Sequence, residues 1–399
     1  MKRIVLLMLL AAGGCLQTAR SQVVNRGSQI SISSDGVLFV DGAFTNQSGS
    51  VLNDGRLVVK ANWSNNDPNF TVFNKLSTGE VEFSGDDQLI AGAFKTEFPS
   101  LTLSGGGSKS LGIDTDLTGN LSLNDRELKT DAFVLSVLNP SPYAINRSTG
   151  FISTDNKGKL VRIINSVNTY LYPLGSADGG SVLYRPVEVD LLSDVQNYFS
   201  ASFVKKDPSA DGYSRQSKRP DIETVFEKYF HLLDQNGSSR VNIRFFQNTS
   251  EDNALKQIVN WNRFNIWEKA APSTATSGSF GDGLNQSILY SSTDVITSLP
   301  FTLAAVREEG PFTFFNAFSP DGDGKNDTWE IKNLDLYPNN ELSVFNRWGD
   351  EVFKTKGYSS AKAWDGGNLN PGTYYYILKV SVDGVQQSYK GFITMVKKD

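Results

Sequence analysis

Short apolar stretches separated by glycine-containing turns run from Gln22 to about Gly175. Glycines at positions 27, 36, 42, 49 and 55, and then at 79, 85 and 92, recur every six to nine residues within each run. Apolar side chains two positions apart lie on one face of a strand, and no helical repeat competes with this spacing. The pattern predicts short strands with one buried face at Ile30/Ile32, Val81/Phe83, Leu101/Leu103, Leu111/Ile113 and Leu121/Leu123.

The short spacing of these strands along the chain indicates how they are arranged. Small polar corners such as Thr45–Gly49 and Leu52–Gly55 leave little room for long hairpins. Very short strands with such corners are typical of a parallel β-helix or solenoid, in which each coil buries its inward residues against the next. A β-sandwich of longer hairpins is the alternative. We predict an all-β chain whose residues 22–175 form a β-helix-like solenoid.

The composition changes between residues 176 and 305, where aromatic residues become more frequent and glycines less frequent. Alternation at Val241, Ile243 and Phe245 predicts a separate β-sandwich domain, with one short helix near residues 253–259. The polar residues 271–287 are predicted to form an exposed loop, and residues 307–310 a linker.

Two tryptophans in this region have two interpretations. Exposed rings of Trp261 and Trp267 would form a stacking platform for carbohydrate, whereas buried rings would belong to the core of the sandwich. Large apolar side chains of a β-domain are usually buried, so the core interpretation is favoured.

Composition excludes several classes of function. The 399-residue chain has a formal net charge of -5 and no long basic run, which argues against a nucleic-acid partner. Its one cysteine, Cys15, and one histidine, His231, exclude a disulfide framework and a structural zinc site. His231 lies among apolar residues, so we expect a buried histidine and not a catalytic base.

The first 21 residues have the pattern of a signal peptide. Lys2 and Arg3 precede an apolar run from Ile4 to Ala12, and Ala19-Arg20-Ser21 suits cleavage before Gln22. The run is too short for a membrane anchor. Cys15 follows Ala12-Gly13-Gly14, which looks like a bacterial lipobox, but the usual leucine is missing. The sequence predicts plain export, with lipidation of Cys15 as the less favoured alternative.

Five ordered motifs occupy the last 89 residues. Taken together and in this order, they resemble the gliding-motility-associated C-terminal domain of Bacteroidetes. Asp321 stands where that family more often has asparagine. The motifs are Asn316–Asp327, Val344–Phe353, Trp364-Asp365-Gly366, Pro371–Leu378 and Lys390–Lys397.

The resemblance implies that residues 311–399 are a type B C-terminal sorting domain, read by the type IX secretion system. Such domains adopt an immunoglobulin-like β-sandwich, and the alternation at Tyr374, Tyr376, Leu378 and Val380 independently predicts strands. The implied partners are the type IX translocon and an outer-membrane protein.

Six residues match the motif positions of this family. They would contribute to recognition by the translocon, or Trp348 would pack in the core with Arg347 stacked or paired. The six are Asn346, Arg347, Trp348, Gly349, Lys390 and Gly391.

The segment from Asp321 to Asp327 concentrates negative charge. Asp321, Asp323 and Asp327, together with Asn326, offer oxygen ligands that suit calcium, and the intervening glycines permit a sharp backbone. The segment does not follow the EF-hand pattern. A turn satisfied by its own backbone is the equal alternative.

No catalytic constellation is visible elsewhere. On a solenoid surface, Asp35, Asp41 and Asp54 are the candidates for acid/base pairs, but they lie in glycine-flanked turns, where aspartate is locally favoured. Three functions remain open: a secreted, adhesin-like surface protein that binds a polysaccharide or protein, an accessory component of the secretion or gliding machinery, and a β-helical carbohydrate-active enzyme. The first is favoured, and we expect no enzymatic activity. An acid pair or an Arg/Lys-lined groove on the solenoid would favour the enzyme.

Overall fold

A computed structural model describes residues 22–69, 72–155, 157–270, 272–297, 299–306, 312–382 and 384–396. The signal peptide with Cys15 and the linker at 307–310 lie outside these ranges. The fold is all-β, with 50% strand and 3% helix, as predicted. In the described ranges, we find no helix with the length and apolar character needed to cross a membrane.

The described chain divides into two compact units. The first covers the residues up to Ser217 and Val225–Ala304, and the second covers Lys218–Thr224 and the residues from Ala305 onward.

The first unit begins with a stack of short parallel strands. These are β1 (Val23–Ile32), β2 (Val37–Val40), β3 (Phe44–Asn53), β4 (Arg56–Val59), β5 (Trp63–Asn65), β6 (Glu80–Phe83), β7 (Gln88–Gly92), β8 (Thr96–Phe98), β9 (Leu101–Leu103), β10 (Lys109–Leu111), β11 (Thr115–Leu117), β12 (Leu121–Ser122), β13 (Glu127–Lys129), β14 (Val134–Val137), β15 (Ile145–Asn146), β16 (Phe151–Ser153), β17 (Lys159–Ile164) and β19 (Leu174–Ser176). The intervening β18 (Thr169–Tyr172) pairs antiparallel and lies outside this stack.

These strands form a β-solenoid of about 7 turns, which confirms the solenoid prediction against the hairpin alternative. Sheet A takes β1, β3, β5, β7, β10, β13, β16 and β19; sheet B takes β2, β4, β6, β9, β12 and β15; sheet C begins with β8, β11, β14 and β17. One coil takes about twenty residues, since Leu101 pairs with Leu121 in sheet B while Leu111 lies between them in sheet A. The ten-residue spacing in the sequence is therefore half of the true repeat.

Stacked side chains fill the solenoid. Phe44 and Trp63 are register partners whose rings stack 4.5 Å apart, and Trp63 Nε1 donates to Thr96 Oγ1 at 2.9 Å. Asn25 Nδ2 donates to Asn46 Oδ1 at 3.1 Å, and further asparagines continue this ladder. Buried polar atoms need such partners, and neighbouring coils supply them.

A buried lysine, Lys109, forms hydrogen bonds with the turns of two neighbouring coils. Lys109 Nζ donates to the backbone carbonyls of Gly85, Asp86 and Gly106, which satisfies all three of its hydrogen bonds. Burial lowers the pKa of Lys109 to about 8. The residue acts as a structural tie between coils.

The remaining strands of the first unit lie between residues 183 and 306. They are β20 (Leu183–Tyr184), β21 (Val187–Leu191), β22 (Asn197–Val204), β23 (Ile222–Val225), β24 (Phe230–Asn236), β25 (Val241–Gln247), β26 (Gln257–Trp261), β27 (Trp267–Lys269), β28 (Ser273–Ser277), β29 (Gln286–Ser291) and β30 (Leu299–Val306). All of β23 except Val225, and the last two residues of β30, are assigned to the second unit. A short 3₁₀ helix covers Pro208–Asp211.

Sheet C crosses the boundary that the sequence places near residue 175. Antiparallel β22 pairs with β17 of the solenoid, and β24, β30, β26 and β27 extend the sheet. The solenoid and the region after it therefore lie in one compact unit, because the last coil would otherwise leave the edge of β17 unpaired.

Sheet D (β18, β21, β25, β29 and β28) contacts sheet C through aromatic rings, such as Tyr172 with Phe199 at 5.6 Å. The β-sandwich assignment of this region stays a prediction.

Two local predictions in this region are wrong. No helix forms near residues 253–259, because Asn253 and Ala254 adopt left-handed backbone angles and Gln257–Trp261 is strand β26. The polar segment 271–287 is not entirely loop, since Ser273–Ser277 forms an edge strand of sheet D. An edge strand with exposed side chains tolerates the polar sequence that suggested a loop.

The buried side chains settle two other interpretations. Trp261 and Trp267 are buried, with ring centroids 5.4 Å apart, so they form core and not a platform for carbohydrate. His231 is buried among the rings of Phe203, Tyr229 and Phe245, as expected.

The second unit holds β31 (Thr313–Phe314), β32 (Ala317–Phe318), β33 (Ile331–Lys332), β34 (Asn340–Phe345), β35 (Glu351–Lys356), β36 (Gly372–Val382) and β37 (Val385–Met395), with 3₁₀ helices at Leu334–Leu336 and Ser360–Lys362. Sheet F has the order β32, β37, β36, β34, β35, and β31 pairs with β33. Trp329, Trp364 and Leu378 belong to one buried core between residues 312 and 395. The immunoglobulin-like assignment stays a prediction.

The environment of His231 predicts a pH-dependent stability of the first unit. Its Nε2 donates to the Arg185 carbonyl at 2.9 Å, and burial lowers the pKa of His231 from 6.5 to about 4. The unfolded state therefore binds a proton between these values, so stability is complete above pH 6.5 and falls as the pH drops toward 4. The loss reaches about 3 kcal/mol.

We expect His231→Gln to abolish this part of the pH dependence, because glutamine does not titrate. Denaturant unfolding of both proteins at pH 7.5, 5.5 and 4 measures the difference. Parallel pH profiles for the two proteins would contradict the prediction.

Candidate functional site

The acidic loop, residues 321–327, lies between β32 and β33 of the second unit. Gly322, Gly324 and Asn326 adopt left-handed backbone angles, with φ of 77°, 81° and 55°. These angles turn the backbone sharply enough to bring distant side chains of the loop together. Each of Asp321, Asp323 and Asp327 contributes a carboxylate oxygen to a group within 4.8 Å.

The loop also satisfies many of its own hydrogen bonds. Asp327 accepts from the backbone amide of Gly322 at 2.6 Å and from that of Gly324 at 2.8 Å, one through each carboxylate oxygen. Asp323 accepts from the Lys325 amide at 2.8 Å, and the Asn326 carbonyl accepts from the Ser319 amide.

This arrangement fits both sequence interpretations. Converging carboxylates are the oxygen ligands that calcium prefers, and Asx-type hydrogen bonds are those of a self-satisfied turn. Calcium binding by Asp321, Asp323, Asn326 and Asp327 stays a prediction. In the described contacts, Asn326 takes part through its backbone carbonyl, which accepts the hydrogen bond from Ser319.

A second feature is the tight turn that joins β34 to β35. Asn346 organises it, because its Oδ1 accepts from the amides of Trp348 and Asp350 while its Nδ2 donates to the Asp350 carboxylate at 2.9 Å. Gly349 closes the turn with a φ of 91°, where a side chain would be strained.

This turn displays Trp348 to solvent. The residue is 73% exposed, so packing of Trp348 in the core is wrong. The Arg347 guanidinium lies 4.2 Å from the centroid of the Trp348 ring, so Arg347 is stacked, as that alternative predicts for it. Both residues border a surface groove of 260 Å³ that Pro371 and Tyr374 also line.

The other two motif residues lie on β37. Lys390 is exposed and faces Ile377 across the strand pair. Gly391 lies opposite Tyr376, and a Cβ atom there would come within 2.7 Å of the Tyr376 hydroxyl. Glycine therefore allows the Tyr376 side chain to lie over the backbone of β37.

The solenoid presents a polar cluster that is not among the sites predicted from the sequence. Arg56 pairs with Glu82 and, at 3.3 Å, with Glu80. Thr102 Oγ1 donates to Glu80 at 3.1 Å, and Ser104 donates to Glu82. The alternation Glu80-Val81-Glu82-Phe83 carries the signal, because it directs both carboxylates outward from one strand.

The three aspartates that are candidates for acid/base pairs occupy turns or bends of the solenoid. Asp35 and Asp54 line a groove of 470 Å³ together with Arg56 and Glu80, and Asp41 lines a separate groove of 820 Å³. Asp54 accepts hydrogen bonds from Thr78, as expected for a turn residue.

Residues 312–395 match the family model described as CHU_C Type IX secretion signal domain, which confirms the C-terminal resemblance. No curated protein and no solved structure gives a match to the chain. The chain is thus a β-solenoid protein with a C-terminal type IX secretion signal. That signal implies interaction with the type IX machinery, export, and a location at the cell surface or outside the cell.

We expect calcium to raise the melting temperature of the second unit in the purified protein. Binding to the folded loop stabilises it by mass action, by about 2.7 kcal/mol when calcium exceeds its dissociation constant a hundredfold. Thermal melts with millimolar calcium and with chelator measure the effect.

Asp323→Asn is the informative variant, because it removes charge without touching the two amides that Asp327 holds. It should fold and lose the calcium response. Asp327→Asn loses one amide contact and should be less stable even in chelator. A melting curve of the parent protein that ignores calcium would leave these residues as turn formers.

Proposed function

We propose that this protein is a secreted, adhesin-like surface protein whose solenoid is the passenger and whose C-terminal unit directs export. The observation that carries the proposal is the type IX secretion signal match over residues 312–395. An outer-membrane partner at the translocon is part of the proposal.

The surface of the solenoid supports a binding role. Parallel coils hold outward side chains in fixed rows, and such rows suit extended ligands. The groove of 470 Å³ combines Arg56 and Glu80 with the polar residues Thr102, Asn120 and Ser122 from successive coils. Hydroxyl, amide and charged groups of this kind form hydrogen bonds with a polysaccharide or a polar protein segment.

Glu80, which lines this groove, forms with Glu82 the kind of acid pair that would favour an enzyme, but the contacts of the pair argue for binding instead. Glu80 and Glu82 share Arg56 and accept hydrogen bonds from hydroxyl groups of neighbouring coils. All four carboxylate oxygens of the pair already have a partner within the chain, which supports a structural role. We propose that the cluster has a structural and binding role without catalysis.

Deleting residues 311–399 should leave the passenger in the periplasm of a bacterium that has a type IX secretion system. The physical reason is that the remaining solenoid lacks the surface that the translocon reads. Imaging of tagged protein on intact cells, with protease accessibility as a second measure, gives the surface fraction.

The control is the full chain with Phe264→Ser, an exposed change in the first unit that retains the whole sorting unit. Full-yield appearance of the truncated protein at the surface or in the medium would contradict the export role.

The purified protein should release no reducing sugar and no unsaturated product from common polysaccharides. Product assays on a panel of polysaccharides measure this. Turnover that Glu80→Gln, Glu82→Gln or substitution of Asp35, Asp41 or Asp54 abolishes would instead establish the enzyme. Phe264→Ser, an exposed change far from the groove in sequence, is the matched control.

A further inference from the structure

One side of sheet F breaks the usual alternation of an antiparallel sheet. Tyr374, Tyr376 and Leu378 of β36 point into the core, so the positions between them point outward. Outward positions of a solvated sheet are normally polar, yet these are Tyr375 and Ile377. Tyr375 is 50% exposed. Apolar residues at every position are typical of a strand that is buried on both faces.

Cross-strand register assembles these residues into a continuous patch. Phe345 of β34 pairs with Tyr375, and Tyr375 pairs with Phe392 of β37, so three aromatic residues occupy one row across the sheet. The Cβ atoms of directly opposite residues lie about 4.5–5.5 Å apart. Phe392 is 53% exposed. We name this patch, Phe345, Tyr375, Ile377 and Phe392, the open face.

The open face also brings the separate sequence motifs together. Lys390 is the register partner of Ile377, one row from the three rings. The turn that displays Arg347 and Trp348 begins directly after Phe345. Motifs about forty residues apart in sequence therefore border one surface.

Positive charge borders this patch on the side of Ile377. The outward rows next to it carry Lys354, Lys356, Lys379 and Lys390, against Glu341 and Glu351 on the same hairpin. A hydrogen bond from Lys354 lowers the pKa of Glu341, with Lys356 and Lys379 contributing through their charge. Four lysines against two glutamates leave a basic rim on a chain whose formal net charge is -5.

We propose that the open face is the docking surface for the type IX translocon, and that its partner is a protein surface with an apolar centre and an acidic rim. This inference rests on the proposed function and names the surface that performs it. Burial of exposed aromatic rings supplies the driving force, and the lysine rim orients the encounter and selects an acidic partner.

The test uses the full chain in a bacterium with a type IX secretion system. Tyr375→Ser/Phe392→Ser removes two exposed rings and leaves the buried core side chains in place. We expect the double variant to fold with a parent-like melting temperature and to show at least a tenfold lower surface fraction. Val385→Ser, at a site 63% exposed at the start of the same strand, is the matched control and should be exported normally.

A charge-reversal pair keeps the test decisive if the first variant folds poorly. Lys379→Glu/Lys390→Glu should reduce the surface fraction severalfold, whereas Lys332→Glu, an exposed lysine on β33, should not. Parent-like export of both open-face variants would overturn the docking proposal.

The outcomes separate this inference from the export role itself. If deletion of residues 311–399 blocks export while the open-face variants pass, only the docking surface is wrong. If the deletion is also exported, the sorting function fails. Light scattering of purified parent and Tyr375→Ser/Phe392→Ser proteins gives the last arm: a parent dimer that becomes a monomer would assign the face to a second copy of this chain and overturn the translocon assignment.

Discussion

Hydrogen bonding between successive coils is the constraint on which the first unit depends. Each parallel strand needs a partner on both sides, and a stack of coils satisfies every strand except those at its ends. Antiparallel β22 pairs with β17 and carries sheet C onward to β27. The region after residue 175 is therefore joined to the solenoid through shared backbone hydrogen bonds, which explains why both lie in one compact unit.

The same repeat controls what enters the interior. A side chain at one coil lies directly over its partner about twenty residues away, so aromatic rings stack on rings and amides pair with amides, as in Asn25 and Asn46. Even the charge of Lys109 is accommodated, because three turn carbonyls converge on its amine. The coil repeat also arranges the outward side chains in rows, as in the cluster formed by Arg56, Glu80 and Glu82.

Pattern and motif were enough to predict the all-β class, the solenoid and the sorting domain. Buried pairs such as Leu101/Leu103 follow directly from strand periodicity. Long-range pairing was not predictable: nothing local in Asn197–Val204 states that it closes sheet C. The short helix predicted near residues 253–259 does not form, because the backbone turns sharply at Asn253. The sequence leaves the position of Trp348 open, because a motif tryptophan is compatible both with recognition at the surface and with the usual burial of large apolar side chains.

Coil stacking has a consequence for how proteins of this design change length. Each coil contacts only the coils before and after it, so a duplicated stretch of about twenty residues would join the stack at an internal position without new partners. Every added coil extends the stack by about 4.8 Å, the distance between neighbouring strands. Such a change leaves the pairing of β22 with β17 and the secretion signal at residues 312–395 unaltered. Evolution can therefore change the length of the solenoid one coil at a time while the C-terminal secretion signal stays the same.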